Sequence, residues 1–292
     1  MVAEPVLSRV ALVVHPKRPI EAALARLKRW AADHGVDVVQ LAVDGDRRRE
    51  VAPAGTLQDG DLVVAVGGDG TVLAALHAAA PKDAPVLGVA CGSLGALSAV
   101  SADRLEEALG RLSAGDWTAR SLPALAVAED DAPAEWAAND FVVVRRGAGQ
   151  LVAEVTVDDE LYVRTAGDGL IVATALGSSA YSMAAGGPVL AAGTAAFVCT
   201  PLAMHGGSAP PLVVPGDAVV SIVVHPGFAG FDVEIDGRER RGAGRRFRLA
   251  LHPDKLTLVT FGPSAGGLAG LRKRGLITDS PRVLARDERE AR

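Results

Sequence analysis

Five consecutive residues, Gly67-Gly68-Asp69-Gly70-Thr71, carry the clearest chemistry in this sequence. They follow the apolar run Asp61–Val66, which reads as a buried strand, and lead into Thr71–Ala80, whose spacing predicts a helix. Glycines let a backbone approach phosphate oxygens closely, and a helix start offers free N–H groups and a positive dipole end. A carboxylate there would repel a bare anion. Asp69 is better suited to work on an attacking hydroxyl or to orient Mg2+. The competing reading is structural: a tight turn in which Asp69 caps the helix that follows.

Rival signatures are incomplete. The sequence has no Gly-Lys dipeptide and so no P-loop. Leu73 stands where a dinucleotide fingerprint needs a third small residue. Gly177-Ser178-Ser179-Ala180 lacks the second glycine of a hydrolase elbow, and His205 has no evident orienting acid. His15, His34, His77, His225 and His252 show no metal-ligand spacing, so no metal site made by protein alone is expected. The arginines at 238, 240, 241, 245, 246 and 248 read as a solvated hairpin, with contact to a polyphosphate or a partner subunit as the sharper alternative. Trp30, Trp117, Trp136 and Tyr162 read as packing residues.

The elements that must position Asp69 alternate. Val10–Val14, Val36–Val43, Asp61–Val66 and Pro85–Ala90 read as strands; Ile20–Ala32, Thr71–Ala80 and Asp103–Leu112 read as helices. That order predicts an α/β, doubly wound parallel-sheet domain over residues 1–120. Beyond it the segments Leu122–Glu129, Phe141–Val144, Leu151–Val157, Leu161–Arg164, Gly169–Ala173, Val219–Val224, Phe231–Ile235, Phe247–Leu251 and Leu256–Phe261 are short and separated by turn residues. They predict a mainly β C-terminal domain over 121–269, with one helix at Ser178–Ala192. The charged tail, from about 270 to 292, is expected to pack back as a helix or to fray.

Composition narrows the function classes. The 292 residues are 49% hydrophobic and 22% charged, which suits a globular chain, and the net charge of −5 argues against a general nucleic-acid binder. Residues 169–204 carry no charge, but Gly186, Gly187, Pro188, Gly193 and Pro201 break the run, so a buried segment is expected rather than a membrane span. Glu4 and the lack of an apolar core before Arg9 argue against a secretory signal. Two distant cysteines, Cys91 and Cys199, suit a reducing cytoplasm.

Taken in order, the motifs resemble the NAD kinase family. Gly67–Thr71 equals the family's GGDGT, and Gly92-x-Leu94-Gly95 resembles its GxLG turn. Asn139-Asp140 stands where the family has Asn-Glu. Asp168–Thr174, followed by Gly177–Ser182 and Ala185–Pro188, resembles its glycine-rich signature. His205-x-x-Ser208, Pro211–Pro215 and Asp236-Gly237 complete the series.

The resemblance implies phosphoryl transfer from ATP or polyphosphate to the adenosine ribose 2′-hydroxyl of NAD. Asp69 would be the catalytic base, with Gly67, Gly68, Gly70 and Thr71 beside the phosphates. Asn139 and Asp140 would hold a ribose, and Asp168 would sit at the dinucleotide site. Ser178, Ser179 and Ala180 would line an adenine pocket with Tyr181 packing on the base, and His205 belongs to the same binding set. Mg2+ carried by phosphates and a homo-oligomer formed through the β-rich domain are implied as well. The sequence departs from the family at Ala90, Ala96, Asp140, Leu176, Ser179 and Pro210. These departures leave open a kinase with another nucleotide, nucleoside or sugar acceptor, or a dinucleotide-binding protein without turnover.

Overall fold

A computed structural model describes residues 7–42, 49–93, 95–130, 132–240, 244–262, 267–273 and 275–290. Its first part alternates as β1 (Arg9–Val14), α1 (Glu21–His34), β2 (Asp37–Leu41), β3 (Ala54–Gly55), β4 (Leu62–Gly67), α2 (Asp69–Ala79), β5 (Pro85–Ala90), β6 (Val100–Ser101) and α3 (Leu105–Ser113). Mostly strands follow: β7 (Thr118–Glu129), β8 (Glu135–Ala137), β9 (Asp140–Arg145), β10 (Leu151–Val157), β11 (Glu160–Gly167) and β12 (Gly169–Thr174). After the short α4 (Tyr181–Ala184) come β13 (Ala196–Leu202), β14 (Leu212–Pro215), β15 (Val219–His225), β16 (Phe231–Ile235), β17 (Arg238–Arg240) and β18 (Arg246–Thr260). Helices α5 (Gly267–Lys273) and α6 (Pro281–Glu290) complete the described chain.

Strands β3, β2, β1, β4 and β5 form the parallel part of a larger sheet. All six residues of β4 are buried, which explains its unbroken apolar run. Helix α1 buries Leu24, Leu27 and Trp30 in the same core cluster as α3, whereas Val72, Ala75 and Leu76 of α2 join a second cluster. The sheet continues through β18, which runs parallel to β5 at Thr257–Leu258 and antiparallel to β15 and β7. A second sheet, β14-β13-β12-β9-β16-β17, packs against the antiparallel end of the first. There Phe141 meets Phe247 at 5.0 Å between ring centroids.

Three local expectations change. Phe247–Leu251 and Leu256–Phe261 are parts of one strand, β18, whose register slips between His252 and Leu256. Pro253, which has no N–H to donate, lies within that slip. The helix expected at Ser178–Ala192 shrinks to Tyr181–Ala184, because Gly186 takes φ +89° and Gly187-Pro188 follow. Strand β13, unexpected from sequence, occupies the apolar stretch that follows and is buried over most of its length. In the tail, Leu271 of α5 is buried, while α6 buries none of its residues. No helix among the described residues is long and apolar enough to cross a membrane.

Candidate functional site

The chain leaves β1 on one side through α1 and β2, and returns on its other side at β4. The carboxyl ends of β1 and β4 are therefore a topological switch point, where an open α/β sheet leaves a crevice. A cavity of about 910 Å3 opens there, lined by Arg18, Arg49, Gly68, Asp69, Gly70 and Thr71 among others. Gly67, the last residue of β4, lies buried behind them.

Cations line this crevice. A Cβ built on Gly68 would lie 2.9 Å from Arg18 Nη1, so the Arg18 guanidinium covers the glycine loop. Arg49 Nη1 donates to the Arg18 carbonyl at 2.7 Å, and Arg49 also pairs with Glu21. His15 Nδ1 accepts the N–H groups of Lys17 (3.1 Å) and Arg18 (2.9 Å), which shapes the turn after β1. Burial first, then the charges of Arg18, Lys17 and Arg49, hold the His15 imidazole below its usual range, in keeping with a neutral acceptor. Arg238 lines the same cavity, so the arginine hairpin is divided: Arg240 instead pairs with Glu129 and Glu135 at 2.5 Å each. Arg241 lies outside the described residues.

Asp69 is the first residue of α2, with Gly68 as N-cap, and makes no cap to its own helix. Its carboxylate reaches across instead: Oδ2 accepts the Ala96 N–H at 2.9 Å and Oδ1 the Leu97 N–H at 3.1 Å. Gly95 permits this approach, since a Cβ there would lie 2.0 Å from Oδ1 and 2.4 Å from Cγ. Gly95 of the Gly92-x-Leu94-Gly95 turn thus serves the carboxylate, a Cβ at Gly92 would instead approach Arg18, and Leu94 lies outside the described residues. Two acceptor positions on each oxygen leave Asp69 capacity beyond these two bonds.

The loop that holds Asp69 also lines a second cavity, of about 760 Å3, with Ala96, Leu97, Leu176, Ser179, Phe261 and Leu271 in its wall. Asp69 therefore stands at the wall of the cationic cavity, tethered to the wall of the other. Of the three residues expected around an adenine, Ser179 lines this second cavity, whereas Ala180 is exposed and lines neither cavity. Ser178 corrects the expectation: it is fully buried, donates to the Ala175 carbonyl at 2.8 Å and accepts the Leu190 N–H at 2.9 Å. Its hydroxyl holds a turn together and faces neither cavity. Tyr181 is 44% exposed and lines neither cavity.

Asn139 is held from two sides. Its carbonyl accepts the Thr174 N–H at 2.9 Å, and Gly177 packs so closely that a Cβ there would lie 2.0 Å from that oxygen. The Thr174 hydroxyl donates to the Ala138 carbonyl at 2.6 Å. From the other side, the Asp236 carboxylate accepts the N–H groups of Ala138 (2.9 Å), Asn139 (2.7 Å) and Asp140 (3.0 Å). Asp140 is buried beside Asp236 and Glu234. Desolvation first, then those two negative charges, push its carboxyl up to about 7.

Asp168 and His205 lie elsewhere. Asp168 precedes β12 and pairs with Arg145 at 2.5 Å; Leu202, close to His205, accepts its N–H. Thr174 stands at the other end of the six-residue β12, about 20 Å away at the rise of an extended strand. Within one chain neither Asp168 nor His205 lines either cavity, and the length of β12 separates Asp168 from the Thr174 end that holds Asn139.

Arg18, Arg49, His77 and Asp236 escaped the residue-level reading. Arg18 was detectable in principle, as a cation just past the end of a buried strand. Asp236 belongs to a quoted motif, but its four donors come from segments far from it in sequence. No group of three or more His, Cys, Asp or Glu side chains that could hold a metal occurs among the described residues.

Residues 46–117 match the ATP-NAD kinase N-terminal domain family and residues 138–248 the ATP-NAD kinase C-terminal domain family. The NAD kinase of Koribacter versatilis is 33% identical over 243 residues, covering 80% of this chain and 85% of that protein. The NAD kinase of Porphyromonas gingivalis is 36% identical over 182 residues, 62% of this chain, and the match spans only 63% of that relative's length. Among solved structures, yeast NADH kinase complexed with NADH shares the fold at a TM-score of 0.77 and 21% identity, covering 94% of this chain and 89% of that one. Two family domains in sequence order and a relative matched over most of both chains place this chain in the NAD kinase family.

Proposed function

We propose that this protein, a kinase of that family, moves the terminal phosphoryl group of ATP to the adenosine ribose 2′-hydroxyl of NAD, giving NADP and ADP. One observation carries the reading: the Asp69 carboxylate sits at the wall of a cation-lined cavity, anchored by two amides from the wall of a second, more apolar one. The first cavity suits a polyphosphate chain, with Arg18, Arg49 and Arg238 opposing its charge and the α2 N-terminus adding N–H donors. Inorganic polyphosphate would fit the same cations. The second cavity suits a nucleoside, with Ser179 and Ala96 in its wall and Asn139 packed on Gly177 in the turn that carries Ser179.

In this reading Asp69 accepts the proton of the attacking hydroxyl as its oxygen bonds to the γ-phosphorus and the bond to the ADP oxygen breaks. Base catalysis of this kind contributes about 10²–10⁴-fold. Two carboxylates, Asp69 and Glu50, line the cation-rich cavity, a donor set that suits Mg2+ carried chiefly by phosphates. Bound there, the ion neutralises phosphate charge. A homo-oligomer through the β-rich part belongs to the same reading, since it would give the Asp168–His205 end a neighbouring copy's acceptor to face. A cytoplasmic setting agrees with Cys91 and Cys199 both being free thiols.

The test is NADP formation by the purified protein with ATP and Mg2+. Asp69→Ala should abolish it while still unfolding cooperatively, its melting temperature lowered by no more than the loss of the Ala96 and Leu97 bonds. Folded protein that makes no NADP with ATP or with polyphosphate rejects NAD as acceptor, and a screen of nucleosides and sugars then decides whether another hydroxyl is phosphorylated.

A further inference from the structure

His77 lies on α2, eight residues beyond Asp69 and about 12 Å along the same helix. Its Nε2 donates to Asp236 Oδ2 at 2.6 Å. The Asp236 side chain is 1% exposed and takes up a left-handed backbone, φ +50°, at the end of β16. With the N–H groups of Ala138, Asn139 and Asp140, His77 completes four hydrogen bonds to one buried carboxylate, about its full acceptor capacity.

The pair joins two parts of the molecule that come from distant stretches of sequence. On one side is the helix whose first residue is Asp69. On the other is the segment 138–140, which Thr174 and Gly177 link to the turn bearing Ser179. Ser179 lines the same cavity as Ala96 and Leu97, whose amides hold the Asp69 carboxylate. These contacts run from one part of the cavity lining to another, and the His77–Asp236 bond is a link between α2 and the segment bearing Asn139.

We propose that His77 and Asp236 are positioning residues for the acceptor: their bond sets the distance between Asp69 and the Asn139 segment, and with it the place of the acceptor hydroxyl. The inference rests on the assignment of the second cavity to the acceptor nucleoside. It predicts an asymmetry. Loosening the bond shifts the acceptor side of the site and leaves the donor side, built from Arg18, Arg49 and the glycine loop, in place.

The experiment compares wild type with His77→Leu, which keeps bulk and loses the donor, and His77→Gln, whose amide can still donate to Asp236. In His77→Leu the KM for NAD and its Kd by calorimetry should each rise about tenfold or more, while the KM for ATP stays within about twofold. His77→Gln should recover most of the loss. Asp236→Asn, which sets an amide donor against backbone N–H groups, should reproduce the His77→Leu pattern and serves if that variant is too unstable to assay. Unchanged affinity for NAD, an equal rise in both KM values, or no recovery with glutamine overturns the proposal. A purely structural role would lower the active fraction and melting temperature and leave both KM values alone. Wild type that makes no NADP would instead count against the functional reading, and calorimetry with NAD would still test the pair.

Discussion

Replacing Gly95 by alanine tests the Asp69 assignment through a clash confined to one carboxyl group. The added Cβ would lie 2.0 Å from Oδ1, 2.4 Å from Cγ and 2.5 Å from Oδ2 of Asp69, all far inside van der Waals contact. The three nearest atoms belong to that one carboxyl group, so the side chain that must yield is Asp69 itself. Turning it away breaks its hydrogen bonds to the Ala96 and Leu97 amides, each worth about 1.5–3 kcal/mol as a bond to a charged group. The carboxylate would be displaced by an ångström or more, and a misplacement of that size costs about 10²-fold in rate; losing base function altogether costs up to ~10⁴-fold. Gly95→Ala should therefore lower kcat/KM for NAD by about 10²–10⁴-fold. At about 2–4 °C per kcal/mol, the two lost bonds should lower Tm by roughly 6–24 °C if none is replaced by water, and by less where water takes their place. The assay is coupled NADP formation with Gly95→Ala, Asp69→Ala and the double variant. Because both changes strike the same group, the double variant should be no worse than the poorer single one. Near-wild-type activity in Gly95→Ala, or losses that multiply in the double variant, would refute the argument.

Arg18→Ala should raise the KM for ATP by about 10-fold or more, with a smaller effect on NAD, because a charge-assisted contact to phosphate is lost; steady-state kinetics varying each substrate checks this. Asp140→Asn tests the buried carboxyl. With a folded pKa of about 7 above an unfolded value near 3.8, wild-type stability should fall as pH rises between those values and level off beyond, whereas Asp140→Asn should lack that slope. Between pH 5 and pH 8 about two pH units of that interval are crossed, so the wild-type loss relative to Asp140→Asn approaches a ceiling of ~2.7 kcal/mol, measured by denaturant unfolding at those two pH values. Ser178→Ala should cost about 1–3 kcal/mol in stability by stranding the Leu190 N–H and the Ala175 carbonyl, yet leave the KM for NAD unchanged, since the hydroxyl faces neither cavity.

Sequence alone determined the local chemistry and the layers. The apolar run of β4, the glycine loop and the helix after it are short-range patterns, and burial on both faces of a parallel strand leaves a direct mark on composition. The ordered motifs identified the family for the same reason: each is a contiguous stretch. Only the tertiary structure decided what those stretches meet. It placed Arg18 over Gly68, set Asp69 on the amides of Ala96 and Leu97 rather than on its own helix, and buried the Ser178 hydroxyl. It also joined His77 to Asp236 across 159 positions of sequence and put Asp168 at the far end of β12. Those outcomes depend on sheet order and on the approach of one loop to another. Periodicity reports which face of an element is buried, and it carries no information about which distant group that face will touch.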